Sequence, residues 1–77
     1  MIKIKLNTLD DANKLASICG RFQKDIDITV GRYVIDGKSY LWILSIGIHN
    51  EMNVFFHGIK EQELYFREMI EQWIVED

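Results

Sequence analysis

Three runs of this 77-residue chain place apolar side chains at every second position. Ile2, Ile4 and Leu6 alternate with Lys3 and Lys5. Ile26, Ile28 and Val30 alternate with Asp27 and Thr29. Met52, Val54 and Phe56 alternate with Asn53, Phe55 and His57. A period of two is the pattern of a half-buried strand, with one apolar face that must be covered. The covering elements lie between and after these runs. Ala12, Leu15, Ala16, Cys19 and Phe22 recur at helical spacing within Leu9 to Phe22, and Phe66, Met69, Ile70 and Trp73 do so within Lys60 to Val75.

Gly31-Arg32 fits a short hairpin connection, with Tyr33 to Ile35 returning as a further strand. Asp36-Gly37 is a turn signal that opens the most apolar stretch, Lys38 to Ile48. There, Ser39 is placed to cap a short helix with its hydroxyl. Tyr40, Leu41, Ile43 and Leu44 fall on its adjacent turns, and Gly47 is expected to end it in a conformation that costs other residues more. The order is strand, helix, strand, strand, short helix, strand, helix (βαββαβα). It predicts one α+β domain over 1–77, a two-layer sandwich with a four-stranded, mostly antiparallel sheet and its helices on one face. The open face would carry Lys3, Lys5, Asp27, Thr29, Asn53 and Phe55, a mostly polar set that can stay in water.

Composition narrows the function classes. A net charge of −3 argues against nucleic acid or an anionic membrane surface as partner. Cys19 is the single cysteine, so no internal disulfide forms, and its place on the apolar side of a helix predicts a buried thiol. One cysteine with His49 and His57 makes no zinc pattern, so no metal site and no cofactor are expected. The alternating start Met-Ile-Lys-Ile-Lys-Leu is unlike a signal peptide, and no run reaches transmembrane length. The expected location is the cytoplasm.

The frame Lys38-Ser39, a short apolar helix, then Ser45-Ile46-Gly47 resembles the corresponding segment of the HPr family, the phosphocarrier of the bacterial sugar phosphotransferase system. Carried back without a gap, the register places Asp25 to Ile28 on the second strand of that family and extends over about Ile2 to Val75. The resemblance implies an open-faced sandwich, in agreement with the pattern of the residues themselves.

In that family a histidine at the start of the first helix takes the phosphoryl group, helped by an arginine and followed by a proline. The same register puts Thr8 at the histidine position, Asp10 at the arginine and Asp11 at the proline. A threonine hydroxyl without an activating base is a poor acceptor. Two carboxylates within ~4–6 Å of a phosphoryl group would oppose it. Thr8-Leu9-Asp10-Asp11 also has the form of a capping box, so Thr8 is read as a cap and no catalytic residue is assigned. His49 and His57 do not precede a helix and are read as surface residues.

The resemblance implies a regulatory phosphorylation site at Ser39. A sister family keeps that serine, lacks the histidine and acts in catabolite regulation. Phosphate there would meet a helix start beside Lys38. A plain N-cap serine explains Ser39 without any kinase and is the simpler reading. Leu9, Tyr40, Leu41, Trp42 and Leu44 match or adjoin a partner-docking patch of the family. Ile43 is expected in the core, while Trp42 is either exposed as an interface anchor or folded over the core.

The leading expectation is therefore a non-catalytic HPr-like protein, not an enzyme. It would act through protein contacts in the regulation of carbohydrate uptake or catabolite control. Its expected partners are a phosphotransferase component, an HPr-type kinase or a transcription regulator, with a homodimer as a further form of contact. The rivals are a phosphocarrier with an atypical acceptor and a structural or oligomerising module.

Overall fold

A computed structural model of the chain describes residues 1–75. Strands β1 (Ile2–Lys5), β2 (Asp25–Val30), β3 (Tyr33–Asp36) and β4 (Glu51–His57) form one sheet in the order β1-β4-β2-β3. All three pairings are antiparallel. Helices α1 (Leu9–Gly20), α2 (Tyr40–Ile46) and α3 (Lys60–Met69) follow the order expected from the sequence. The fold is the α+β open-faced sandwich.

The register explains why alternation was decisive. Ile2 faces Val54, Val54 faces Ile28, and Ile28 faces Ile35. One row of apolar side chains thus crosses all four strands on the helix side. Ala12, Leu15 and Cys19 of α1, Ile43 of α2 and Phe66 of α3 close over it, each fully buried. At one end of the sheet Phe22, Phe56 and Phe66 pack with ring centroids 5.3–5.5 Å apart. Burial pushes the Cys19 thiol up to about 12; the nearby Asp36 charge adds to this and Lys38 opposes it.

The last helix differs from expectation. The periodic run to Val75 is not one helix: α3 ends at Met69, and Glu71–Trp73 forms a single 3-10 turn. Ile74 then bridges Ile4, and the Val75 N–H donates to the Lys3 carbonyl at 2.9 Å. Burial of Ile70 and Trp73 and satisfaction of the outer side of β1 outweigh two further helical turns. The sequence also suggested a fraying acidic helix end; Glu76 and Asp77 lie outside the described residues.

Gly47 differs too. Its φ is −95°, and the left-handed residue that follows this helix is His49 at +69°. The His49 N–H donates to the Leu6 carbonyl at 3.1 Å, so a long-range bond rather than the helix end sets that conformation.

Candidate functional site

The start of α1 is closed by its own residues. Thr8 is extended, as an N-cap must be, and its Oγ1 accepts the Asp11 N–H at 3.1 Å. Asp11 Oδ2 turns back to accept the N–H groups of Asn7 and Thr8, both at 3.1 Å. The expected capping box is therefore present in both directions. Partial desolvation works against the Asp11 charge. The N–H groups of Asn7 and Thr8, the Trp73 indole and the Thr8 hydroxyl outweigh it and hold the carboxyl below its ordinary value. Asp10 projects outward and pairs with Lys14 at 3.1 Å, one helical turn on. Two carboxylates thus occupy the first turn of α1.

Ser39 is differently held. It sits at the N-cap position of α2, but its hydroxyl makes no cap bond, contrary to the sequence expectation. Its backbone carries the turn instead. The Ser39 N–H donates to the Asp36 carbonyl at 3.0 Å, and its carbonyl accepts the Ile43 N–H at 3.1 Å. Asp36 Oδ1 accepts the Lys38 N–H at 2.9 Å, and the Gly37 N–H donates to the Ile26 carbonyl at 2.7 Å. The turn is fixed through Asp36 and β2, so the serine side chain is not needed to hold it. Ser39 is half-buried.

Helix α2 divides its apolar residues sharply. Ile43 is in the core, whereas Leu41 is 71% and Trp42 57% exposed. Tyr40 lies at the margin and Leu44 is half-buried against the core. Leu9, the first helical residue of α1, is exposed. Trp42 turns toward β3 and lines a shallow groove with Tyr33, Ile35, Asp36 and Ser39. It thus shares a surface with strand residues that the sequence reading did not join to it.

The two histidines are separate. His57 is exposed on the open sheet face, its Nε2 2.9 Å from Asp27 Oδ2. Parity put both on the outward face, but only the β2–β4 register brings them together. On that face Phe55 lies opposite Asp27, while Lys5 lies opposite Glu51 toward the other end of β4. Among the described residues, no group of three or more His, Cys, Asp and Glu side chains could hold a metal ion, and no helix is long and apolar enough to cross a membrane.

Solved structures give this arrangement its relatives. HPr-C-His from Thermoanaerobacter tengcongensis superposes with a TM-score of 0.71 at 24% identity, covering 92% of this chain and 88% of that one. The phosphocarrier protein HPr of Bacillus anthracis str. Ames gives 0.66 at 17% identity, over 92% of each chain. This chain has the HPr-like fold. The catabolite repression protein Crh of Bacillus subtilis shares the HPr-like fold, with a TM-score of 0.66 at 16% identity over 95% of this chain and 88% of its own; it was solved as a domain-swapped, intertwined dimer. No protein-family model matches the chain, and no curated protein does. At these identities the likeness carries the HPr-like architecture, and function has to be argued from the residues.

Proposed function

We propose that this chain is a non-catalytic HPr-like module that works through protein contacts, with Ser39 as a phosphorylation switch in the control of carbohydrate uptake or catabolite repression. The closed Thr8–Asp11 cap carries the reading. Thr8 already spends its hydroxyl on the Asp11 N–H, and the Asp10 and Asp11 carboxylates oppose an incoming phosphate. The exposed Leu9, Tyr40, Leu41 and Trp42, with Leu44 beneath them, supply apolar area for a partner. That partner would be a phosphotransferase component, an HPr-type kinase or a transcription regulator. Ser39 supports the switch because its hydroxyl is not engaged in capping α2.

Two incubations test this. With phosphoenolpyruvate and the general phosphotransferase enzyme, no acid-labile phosphate should form; a phosphohistidine would overturn the reading in favour of a phosphocarrier with a displaced acceptor. With an HPr-type kinase and ATP, intact-mass analysis should show a phosphate gain in the wild type and none in Ser39→Ala. No gain in the wild type would remove the switch.

A further inference from the structure

The two edges of the sheet are treated differently. The outer side of β1 is covered by the chain itself, through Ile74 and Val75. Strand β3 is the other edge, and no described residue pairs with its outer side. Exposed edges are usually guarded by lysine, proline or a bulge. This one reads Tyr-Val-Ile-Asp, with Tyr33 58% and Val34 67% exposed. Its main-chain groups are also aimed for pairing. Val30 faces Tyr33 across a two-residue turn, and the Gly37 N–H donates inward to Ile26. By the alternation of an antiparallel ladder, the N–H groups of Val34 and Asp36 and the carbonyl of Val34 therefore point outward.

We propose that β3 pairs antiparallel with β3 of a second copy, about a two-fold axis at Val34, joining two sheets into one of eight strands. The strand's own charges select this register. With Val34 facing Val34, Tyr33 faces Ile35 of the copy, and Arg32 faces Asp36 of the copy at both ends. Moving the axis to Ile35 would instead set Arg32 against Lys38. Moving it to Tyr33 would leave Asp36 opposite Val30. Only the Val34 axis matches opposite charges, and an isologous contact repeats that match twice.

Among the described residues, neither Arg32 nor Asp36 makes an ion pair. Asp36 also lies directly opposite Asp27 in the sheet, a like-charge pairing that a partner's arginine would relieve. The Val34 carbonyls and N–H groups supply the central bonds. The Asp36 carbonyl already accepts the Ser39 N–H, so at the ends the side chains contribute most. On the helix side, Tyr33 and Trp42 flank the joint and lose exposed area with it. This pairing is independent of whether Ser39 is modified or Thr8 is inert.

Sedimentation equilibrium of the full chain at rising concentration tests the proposal. The wild type should show a reversible monomer–dimer equilibrium that weakens with added salt. Val34→Lys sets two ammonium groups against each other on the axis and should raise the dissociation constant by about tenfold or more. Arg32→Glu, at an exposed turn position that asks little of folding, should weaken it in the same direction. In a mixed-label sample, Tyr33 and Ile35 should give an intermolecular Hα–Hα contact. A chain that stays monomeric into the millimolar range would overturn the proposal. So would a dimer indifferent to Arg32→Glu, as one made by exchanging another strand would be, or intermolecular contacts confined to other residues.

Discussion

Thr8 and Asp11 hold each other at the start of α1, each side chain accepting the other's backbone N–H at 3.1 Å. Removing the hydroxyl in Thr8→Ala should lower the unfolding free energy by about 1 kcal/mol, the usual cost of losing an N-cap. Urea denaturation followed by circular dichroism measures it. A change within ~0.3 kcal/mol would mean that the cap contributes nothing net.

Asp11 makes the same contact sensitive to acid. Its folded pKa is lowered, so the folded chain binds this proton less readily than the unfolded chain. The stability this provides is complete above the ordinary carboxylate range, near pH ~4, and is lost as pH falls through the folded value. Asp11→Asn should therefore be destabilised relative to wild type at pH 6, and the gap should narrow toward pH 2. A gap independent of pH would contradict the assignment.

Cys19 predicts the opposite slope at the alkaline end. The folded thiol is pushed up to about 12, whereas an unfolded thiol titrates near ~8.5. Above that lower value the unfolded chain releases a proton that the folded chain keeps, so stability should fall as pH rises, by up to about 1.4 kcal/mol per pH unit from this group. Cys19→Ala should lose that component of the slope, read as the difference between the two unfolding curves from pH 8 to 10. In the native wild type, the thiol should react with a disulfide reagent only as fast as the chain opens.

Neighbours on α2 should respond very differently to truncation. Ile43→Ala removes a fully buried side chain and should cost about 2–5 kcal/mol. Trp42→Ala, next to it but largely exposed, should cost about 1 kcal/mol or less. Thermal melts of the two variants decide the matter. A Trp42 cost matching that of Ile43 would place the indole in the core.

Gly47 is required by space rather than by its φ. A Cβ there would stand 2.6 Å from the Ile43 carbonyl oxygen and 2.8 Å from Met52 Sδ. The sulfur can move, but the helix carbonyl cannot without breaking its bond to Gly47 N–H. Gly47→Ala should cost about 1–3 kcal/mol, as overpacking does, despite the better helix propensity of alanine. A variant as stable as wild type in urea would show that the helix end shifts freely.

The sequence by itself determined what depends on near neighbours. Alternation fixed the faces of β1, β2 and β4, because successive side chains of a strand must point opposite ways. The Thr8–Asp11 cap was legible because its partners are three residues apart. Ile43 was identified as core because a short helix has only one inner row. Tertiary structure decided whatever joined distant segments. Ser39 keeps its capping position without using its hydroxyl, since Asp36 and Ile26 hold the turn. After α2 the left-handed residue is His49 rather than Gly47, because Leu6 draws in its N–H. Asp27 meets His57 only through the strand register. The helical period to Trp73 gave way beyond Met69 because Ile74 and Val75 could satisfy the open side of β1. A periodic pattern says which face is apolar, but unpaired backbone on a remote strand carries no mark in the segment that comes to cover it.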